Sequence, residues 1–276
     1  MFSVIRRSHI EQYAGCPYSL YLQLVLGNEP PMSKNAQLGV IVHELIESLS
    51  KDEIDINRAK IDLEDAIAAW NVSTDEEYSI ITWELQDVGN ICLDNFMLIK
   101  NQLGSSFESE KNIKFSIDDD LPTISCTLDR IAFDGDKIHI HDWKTGKPMS
   151  GKKLVTDLQP PLYIYGVYKE YGILPETFTL HYLQPNKHIV YKKIDDMKYE
   201  VVTTRNTYTL DIDEALDRTK KILNDIKHNR FNMPDGTAHL FRCDKLCWFG
   251  ISGKCRGTQD EQWKRLNEQY AGESAA

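Results

Sequence analysis

The spacing of apolar residues changes near residue 107, and this change limits the fold more than any other feature of the sequence. Up to that point, apolar side chains recur every three or four residues, as they do on amphipathic helices. The pattern predicts helices over residues 8–26, 37–51, 58–71 and 79–104, with Pro17 interrupting the first of them. Because almost nothing before residue 105 resembles a strand, the front of the chain should be a helical subdomain.

The part of the chain after residue 107 has the alternating, β-branched pattern of strands. Asp134-Gly135-Asp136 is a typical hairpin turn and separates two of these strands. The predicted strands are Phe107–Ile117, Thr123–Phe133, Lys137–Trp143, Phe178–Gln184 and Ile189–Thr203, and helices are predicted over 155–171 and 211–229. Strands and helices mixed in this order predict an α/β core.

The composition is that of an ordinary cytoplasmic protein. Of the 276 residues, 41% are hydrophobic and 27% charged, which is enough to bury a core. No apolar run approaches the roughly 18 residues of a membrane span, and the first residues lack the apolar segment of a secretory signal. We therefore expect a cytoplasmic protein without a membrane partner. No Gly-x4-Gly-Lys-Ser/Thr loop occurs, so ATP hydrolysis is not expected.

The formal net charge of −10 argues against a protein that coats nucleic acid over its whole surface. An enzyme with a carboxylate-rich metal site could still act on DNA, provided that its basic residues are gathered locally. The best candidate for such a patch is Lys144–Lys153, which has lysines at positions 144, 147, 152 and 153. A solvated loop is the alternative interpretation of the same lysines.

Two aspartates and a lysine form a candidate catalytic group on neighbouring strands. Asp129 lies in one strand and Asp142 near the end of the next, so the hairpin between them brings the two carboxylates together. Close carboxylates repel each other unless a cation lies between them, and Mg²⁺ prefers such oxygen ligands. Lys144, two residues after Asp142, points to the same face of the strand. The pattern indicates either a metal site or a surface hairpin with ordinary charges.

The Asp-x-Lys pattern alone carries little information, because the chain contains it three times. Asp225 falls on a predicted helix, and Asp196 lies in a connection without a second acid on a preceding strand. Only Asp142 has an acidic partner at a suitable position.

Polar residues on the predicted helices are further candidates. His43 stands in an apolar helical stripe, where a histidine is more often a hydrogen-bonded core residue than a metal ligand. Glu47, one turn later, could orient His43, but we interpret it as a solvated carboxylate. Gln159 and Tyr163 share a face of the helix after Lys144 and could approach the metal site or DNA, with simple packing as the alternative.

Taken in order, these residues resemble the RecB-family branch of the PD-(D/E)XK nucleases. The resemblance rests on a Gly-x3-His helix at Gly39–His43, a strand with Asp129, Asp142-x-Lys144 after a hairpin, and then Gln159-x3-Tyr163. The segment Ser8–Pro17 (SHIEQYAGCP) is similar to the first cysteine segment of the iron–sulfur members, which include AddB-type nucleases and the exonucleases of CRISPR adaptation. The similarity extends from about residue 8 to residue 255.

The resemblance implies a restriction-endonuclease-like fold, in which a mixed sheet is flanked by helices. It also implies that His43, Asp129 and Asp142 bind Mg²⁺ or Mn²⁺. Asp129, Asp142 and Lys144 would act in catalysis, while Gln159 and Tyr163 would position the substrate or the active site. The implied reaction is hydrolysis of a phosphodiester bond in DNA by a water that the metal activates.

We therefore expect a DNA exonuclease that acts on single strands or free ends, in repair or recombination. A helicase or other recombination and repair proteins are the expected partners, because the chain has no helicase motif with which to unwind DNA itself. Two alternatives fit the sequence less well. One is an iron–sulfur DNA-binding subunit with little activity alone, and the other is a zinc-stabilised scaffold or adaptor protein.

Four of the six cysteines form a second candidate metal site. Cys243-x3-Cys247-x7-Cys255 lies in an irregular tail, and Cys16 supplies a fourth thiolate from more than 200 residues away. Disulfides are uncommon in cytoplasmic proteins. The wide separation and uneven spacing favour a 4Fe-4S cluster, with zinc or unligated cysteines as the alternatives. Cys92 and Cys126 fall in helical and strand patterns, and we interpret them as buried apolar residues.

The sequence predicts three regions. Residues 1–104 form the helical front, which carries the first cluster cysteine and the metal-binding histidine. Residues 105–230 form the nuclease core. Residues 231–276 form a cysteine-rich metal segment and the tail.

Overall fold

A mixed β-sheet organises the larger part of the molecule. A computed structural model of the chain describes residues 2–74, 79–232, 247–252 and 255. The chain forms two compact units, one comprising Met1–Arg7 with Pro31–Leu223 and the other Ser8–Pro30 with Asn224–Ala276. The first unit contains the sheet and the helices that flank it, so the predicted α/β class is confirmed.

Eight strands form this sheet among the described residues. They are β1 (Val4–Arg6), β2 (Phe107–Phe115), β3 (Thr123–Asp134), β4 (Lys137–Lys144), β5 (Thr177–Tyr182), β6 (Lys187–Asp195), β7 (Lys198–Val202) and β8 (Thr207–Asp211). Their order is β1-β3-β4-β5-β6-β7-β8, and β2 pairs with β3 outside this path. The β1–β3 and β4–β5 pairs are parallel, whereas the other pairs of the sheet are antiparallel.

The described helices precede, interrupt and follow the strands. They are α1 (Arg7–Gly15), α2 (Pro17–Leu24), α3 (Lys34–Ser50), α4 (Ile56–Ser73), α5 (Trp83–Lys100), α6 (Lys153–Thr156), α7 (Gln159–Tyr171), α8 (Ile212–Lys227) and α9 (Trp248–Ile251). Within the described ranges, no helix combines the length and the apolar character needed to cross a membrane.

The core of the first unit joins helices α3, α4 and α5 to the end of β4. Leu38, Ile46, Leu63 and Phe96 from these helices are fully or almost fully buried together with Trp143 of β4. The rings of Phe96 and Trp143 meet edge to face with their centroids 5.4 Å apart. Burial of each such side chain contributes roughly 1.5–3 kcal/mol. This packing fixes α3, and with it His43, against the sheet.

Side-chain caps explain where two of these helices begin. The hydroxyl of Ser33 accepts a hydrogen bond from the N–H of Ala36 at 3.4 Å, and α3 begins at the residue after Ser33. The carboxylate of Asp55 accepts one from the N–H of Arg58 at 2.8 Å, ahead of α4. The helices predicted over 37–51 and 58–71 therefore start a few residues earlier than expected.

The prediction of one helix over 155–171 is wrong, because the chain forms two helices there. α6 ends at Thr156, and α7 begins at Gln159. The carboxylate of Asp157 accepts a hydrogen bond from the N–H of Gln159 at 3.0 Å, which stabilises a turn between them. Pro160 and Pro161 follow, and prolines are tolerated in a first helical turn but not in a helix interior.

The prediction of one strand over 189–203 is also wrong. β6 and β7 form a hairpin, whose turn contains Asp196 and Met197, the latter with a φ of 60°. The turn was missed because it contains neither glycine nor proline, although the aspartates at 195 and 196 are residues that turns favour. The short edge strands β1 and β8 were likewise not predicted.

The interruption of the first helix at Pro17 is confirmed. α1 ends at Gly15, and α2 begins at Pro17 with Cys16 between them. Within this second unit, the Tyr13 hydroxyl donates to the carbonyl of Arg230 at 2.5 Å, and its ring meets that of Phe231 with a centroid distance of 6.0 Å.

Candidate functional site

A gap along one edge of β3 is the structural basis of the candidate site. β2 pairs with one edge of β3 from Ile124 to Ala132. β1 and β4 therefore share the other edge, where β1 pairs up to Ser125 and β4 from Arg130 onwards. The two strands approach along this edge from opposite ends. Residues 126–129 of β3 face the space between them, and Asp129 stands beside the end of the β4 ladder.

Asp129 is held by contacts from two directions. Its Oδ2 atom accepts a hydrogen bond from the backbone N–H of Trp143 at 2.7 Å. Its Oδ1 atom lies 3.5 Å from Nδ1 of His43 on α3. The side chain of Asp129 is 10% exposed and that of His43 28%. The helical front and the sheet thus contribute one residue each to the same contact.

Glu110 of β2 joins this pair. One potential ligand atom from each of His43, Glu110 and Asp129 lies within 4.8 Å of the others, which is close enough for one metal ion. Two carboxylates and one imidazole form a donor set that Mg²⁺ or Mn²⁺ would accept. The sequence predicted two of these three residues as ligands.

Glu110 was missed because nothing local distinguishes it from Glu108, the other acid of the same strand. Its φ of 48° lies in the left-handed region, which is unusual for a residue other than glycine and interrupts the regular ladder. Such backbone strain occurs often at functional sites. The pairs on either side, Ser109 with Arg130 and Lys111 with Leu128, place Glu110 level with Asp129. A correct strand register would therefore have revealed it.

The third predicted ligand, Asp142, makes different contacts. It is 2% exposed. Its Oδ1 atom accepts a hydrogen bond from Nε2 of Gln159 at 2.6 Å, and its Oδ2 atom lies 2.6 Å from Nζ of Lys144. The structure thus brings the predicted residues Asp142, Lys144 and Gln159 together directly, next to Asp129.

The charges of this group shift one another's protonation. Burial lowers the pKa of His43, but the Asp129 and Asp142 carboxylates raise it more, to about 9. Burial raises the pKa of Asp129, whereas His43, Lys144 and the Trp143 N–H lower it to a value below the usual range. These shifts describe an ion pair between a protonated His43 and an ionised Asp129.

The pKa values of the two remaining carboxylates move upwards. Burial raises the pKa of Asp142, and the nearby charge of Asp129 adds to this effect while Lys144 opposes it. Burial, together with Asp129, raises the pKa of Glu110 to about 7. The pKa of Lys144 is also raised, because Asp142 and Asp129 outweigh its burial. Acidic groups with raised pKa values are typical of a site where a cation would relieve the repulsion.

Tyr163 lies one helical turn after Gln159 on α7. Its side chain is buried, and its ring meets that of Phe178 edge to face at 6.0 Å. Burial raises the pKa of its hydroxyl far above the usual value, although the charge of Arg7 opposes this. The guanidinium carbon of Arg7 lies 5.4 Å from the centroid of the Tyr163 ring. The hydroxyl of Tyr163 therefore stays uncharged at neutral pH, and its ring offers an aromatic face to Arg7.

An open cleft of about 550 Å³ runs along α3 beside the group of His43, Glu110 and Asp129. Its lining residues are Gly39, Val40, His43, Glu44, Glu47 and Glu110. Glu47 was interpreted as a solvated carboxylate. In the structure it is partly buried and accepts hydrogen bonds from Lys51 and, at 3.1 Å, from Ser109. This side of the site is acidic, whereas Lys147, Lys152 and Lys153 are exposed on the segment that leads from β4 into α6.

The predicted cluster cysteines lie in the second unit. Tyr18, Leu22, Phe249 and Cys255 form a small buried group there, and Cys16 and Cys247 are packed against it. The structure thus gathers three of the four cysteines around one apolar group. Cys243 lies outside the described residues.

Cys92 and Cys126 behave as predicted for apolar core residues. Both are buried in the first unit. Burial raises the pKa of each thiol to about 12, so both thiols stay protonated at neutral pH.

Comparison with known families agrees with this architecture. Residues 7–250 match the profile of the PD-(D/E)XK nuclease superfamily, a range that includes strands β2 to β8 and the site residues described above. No curated protein matches the chain at a significant level. The mixed sheet with its flanking helices fits the restriction-endonuclease-like fold of that superfamily, so the predicted fold is confirmed. Its members are metal-dependent nucleases that typically use Mg²⁺ or Mn²⁺. The chain belongs to the PD-(D/E)XK nuclease superfamily.

Proposed function

We propose that the chain is a Mg²⁺- or Mn²⁺-dependent deoxyribonuclease of the RecB type, which degrades single-stranded DNA or DNA from its ends. The observation that carries this proposal is the arrangement of His43, Glu110 and Asp129 within 4.8 Å, next to the buried Asp142–Lys144 ion pair. A nuclease of this superfamily needs both a cation site and a lysine beside it. Burying a carboxylate costs free energy, and carboxylates with raised pKa values cluster at functional sites, which favours a nuclease over a scaffold protein.

The roles of the residues follow from their contacts. His43, Glu110 and Asp129 would hold the cation, and the neighbouring Asp142 would complete its surroundings. When bound, the cation supplies positive charge that stabilises the charge developing on phosphorus and makes a water more acidic. Lys144 would stabilise the same negative charge from its position 2.6 Å from Asp142. Gln159 orients Asp142, and the buried Tyr163 would help to position the active site.

The acidic cleft supports a substrate that approaches through the cation site. Glu44, Glu47 and Glu110 line it, so phosphates are repelled there until divalent cations offset the carboxylates. A flexible single strand can bring one phosphate to the cation and keep its neighbours away from the acids more easily than a stiff duplex can. Single strands and frayed ends are therefore the proposed substrates.

The test is cleavage of end-labelled DNA with Mg²⁺ or Mn²⁺. Asp142→Asn should abolish cleavage. Asp196→Asn changes the exposed aspartate of another Asp-x-Lys sequence, at the β6–β7 turn; it is the matched control and should keep the activity of the parent. Linear and closed circular single strands, duplexes and RNA of the same sequence would be compared. Cleavage of linear but not of closed circular strands would support the exonuclease, and equal cleavage of both would contradict it.

A parent protein that does not cleave DNA would indicate a different function. If the folded, metal-loaded parent binds single-stranded DNA without cutting it, the nuclease proposal is wrong. The function would then be that of a DNA-binding subunit in a larger repair or recombination complex with a helicase. Addition of a candidate helicase would show whether the complex gains activity that neither protein has alone.

We also propose that Cys16, Cys243, Cys247 and Cys255 hold a 4Fe-4S cluster. The packing of Cys16, Cys247 and Cys255 around one apolar group supports this proposal. A shared cluster would tie the segment between α1 and α2 to the end of the chain and would stabilise the second unit.

Absorbance near 400 nm and iron analysis of anaerobically purified protein test the cluster. Cys16→Ser should lose both signals. Cys92→Ala should retain them, because Cys92 is buried in the first unit. A colourless parent with one equivalent of zinc would replace the cluster with a zinc site, and a parent with neither metal would overturn the proposal.

A further inference from the structure

Three histidines lie in a row across the neighbouring strands β4, β5 and β6. Nδ1 of His141 lies 3.0 Å from Nε2 of His181, and Nδ1 of His181 lies 2.9 Å from Nδ1 of His188. Because side chains alternate along a strand, His141 lies on the face of β4 opposite to Asp142. The histidine row is therefore separate from the candidate metal site around Asp129.

The β5–β6 hairpin fixes the position of the second pair. His181 and His188 are direct partners in its ladder, and a hydrogen bond of 3.1 Å from the N–H of Asn186 to the carbonyl of Leu183 closes the short connection between the strands. Two imidazoles on one tetrahedral ion, with bonds of about 2.0–2.1 Å, have their nitrogens about 3.3 Å apart. The two Nδ1 atoms are 2.9 Å apart, so a small rotation of the rings would admit an ion.

The third histidine can prepare His181 for this role. When Nε2 of His181 donates to Nδ1 of His141, the lone pair of its Nδ1 atom points towards His188. A metal-binding histidine typically donates its other ring N–H to such a partner, which fixes the tautomer and the orientation of the ring. His141 thus offers the outer contact that a metal ligand needs.

Protonation and access also suit a metal ion. Burial lowers the pKa of His181 to about 2, and it also lowers the pKa of His188, so both rings are neutral at neutral pH. The neutral imidazole is the form that binds metals. His181 is buried, whereas His188 is exposed at the start of β6. An ion can therefore enter from the His188 side.

We infer that His181 and His188 bind a transition-metal ion such as Zn²⁺ or Ni²⁺ between their Nδ1 atoms, with His141 orienting His181. Water would occupy the remaining positions of the ion. Imidazole nitrogens favour ions of this class, whereas Mg²⁺ prefers oxygen ligands, so this site and the proposed nuclease site would take different metals. The competing explanation is that the three rings only pack and hydrogen-bond within the sheet.

Quenching of tryptophan fluorescence by Ni²⁺ separates these explanations, because the centroids of the Trp143 and His181 rings are 4.9 Å apart. The titration is made in His43→Ala with excess Mg²⁺, which limits Ni²⁺ binding at the candidate nuclease site. Adding His188→Gln should weaken Ni²⁺ binding more than tenfold, since even the loss of an orienting residue costs about 10–100-fold. Adding His139→Gln is the matched control, because His139 contacts Thr177 instead and should leave the affinity unchanged.

Equilibrium dialysis of the otherwise unchanged protein covers the case in which His43→Ala fails to fold. The parent should bind one more Ni²⁺ per chain than His188→Gln, whatever the other sites of the chain bind. Because His188 is exposed, its replacement should leave the fold intact. If His188→Gln matches the His139→Gln control in both affinity and number of bound ions, the histidine row is not a metal site. Neither measurement depends on DNA cleavage.

Discussion

His43 of α3 and Asp129 of β3 meet with 3.5 Å between Nδ1 and Oδ1, and this contact links the helical core to the sheet. The backbone of Trp143 donates to the same aspartate, while its ring is buried against Phe96 of α5. The residue that orients the carboxylate is therefore also a core residue. Changes in the packing of α3 and α5 should consequently alter the candidate metal site, even without touching its ligands.

Metal binding should release protons and should tighten as pH rises. The pKa values of His43 and Glu110 are raised to about 9 and about 7, and a ligand must lose its proton before it can bind. Mn²⁺ affinity should therefore increase with pH and level off above about pH 9. Calorimetry in two buffers of different ionisation enthalpy would measure the protons released. His43→Ala should remove the part of the pH dependence nearest pH 9, and a parent without proton release would contradict the prediction.

Gln159 should stabilise the fold through Asp142. Gln159→Leu removes the donor that lies 2.6 Å from a carboxylate buried to 2% exposure. An unsatisfied buried group costs about 1–3 kcal/mol, so the free energy of unfolding in urea should fall by that amount. The cleavage rate should fall as well, because Asp142 loses its orientation. Gln102→Leu, at an exposed position after α5, is the control, and equal stability of the two variants would refute the assignment.

Gly166 should be required for the packing of α7 on β2. A Cβ atom there would lie 2.8 Å from Cε1 of Phe115, which is too close for two carbon atoms. Gly166→Ala should destabilise the protein by about 1–3 kcal/mol, more than the gain in helix propensity of about 1 kcal/mol. Thermal and urea unfolding would measure this loss. Gly146→Ala, whose added Cβ meets no atom within 4 Å, should have little effect.

The double variant Gly166→Ala with Phe115→Leu tests the proposed clash. The smaller leucine side chain makes room for the added methyl group. The double variant should therefore lose less stability than the sum of the losses in the two single variants. Additive losses would mean that Gly166 is needed for another reason.

Local patterns identified most of the site because its residues lie on long, regular elements. His43, Asp129, Asp142 and Gln159 each lie at or within a predicted helix or strand, and the structure brings them together. Glu110 escaped because its role depends on strand register and on a positive φ, and neither can be read from neighbouring residues. The position of Glu110 next to Asp129 depends on how β2 pairs with β3.

The same distinction explains the errors in the fold. β1 has three residues, which is too short for a periodic pattern, and it forms only because β3 offers a free edge. The turn at Asp196 and Met197 lacks glycine and proline, so the strand pattern ran through it. The break between α6 and α7 could have been predicted, because Pro160 and Pro161 are visible in the sequence and prolines belong to a first helical turn.

Three histidines across β4, β5 and β6 should make the first unit sensitive to acid. Nδ1 of His141 lies 3.0 Å from Nε2 of His181, whose Nδ1 lies 2.9 Å from Nδ1 of His188. Burial lowers the pKa of His141 to about 3 and that of His181 to about 2. In the unfolded chain both should titrate near 6.5.

The sign of the effect follows from which state binds the proton. Below about pH 6.5 the two histidines bind protons in the unfolded state but not in the folded state. Their contribution to stability is therefore complete above this pH and is lost as pH falls. Each of the two buried histidines should lower the free energy of unfolding by about 1.4 kcal/mol per pH unit. This pH range lies below the range in which His43 affects stability, because the pKa of His43 is raised from 6.5 to about 9.

Urea unfolding of the metal-free protein between pH 7 and pH 5 would measure this slope. His181→Gln should be less stable than the parent at pH 7, because it loses a buried partner of His141, but its stability should depend less steeply on pH by about 1.4 kcal/mol per unit. His139→Gln, on the same strand as His141 and bonded to Thr177 instead, is the control. An unchanged slope in His181→Gln would show that His181 titrates alike in the folded and the unfolded protein, and that its burial beside His141 and His188 does not keep it neutral.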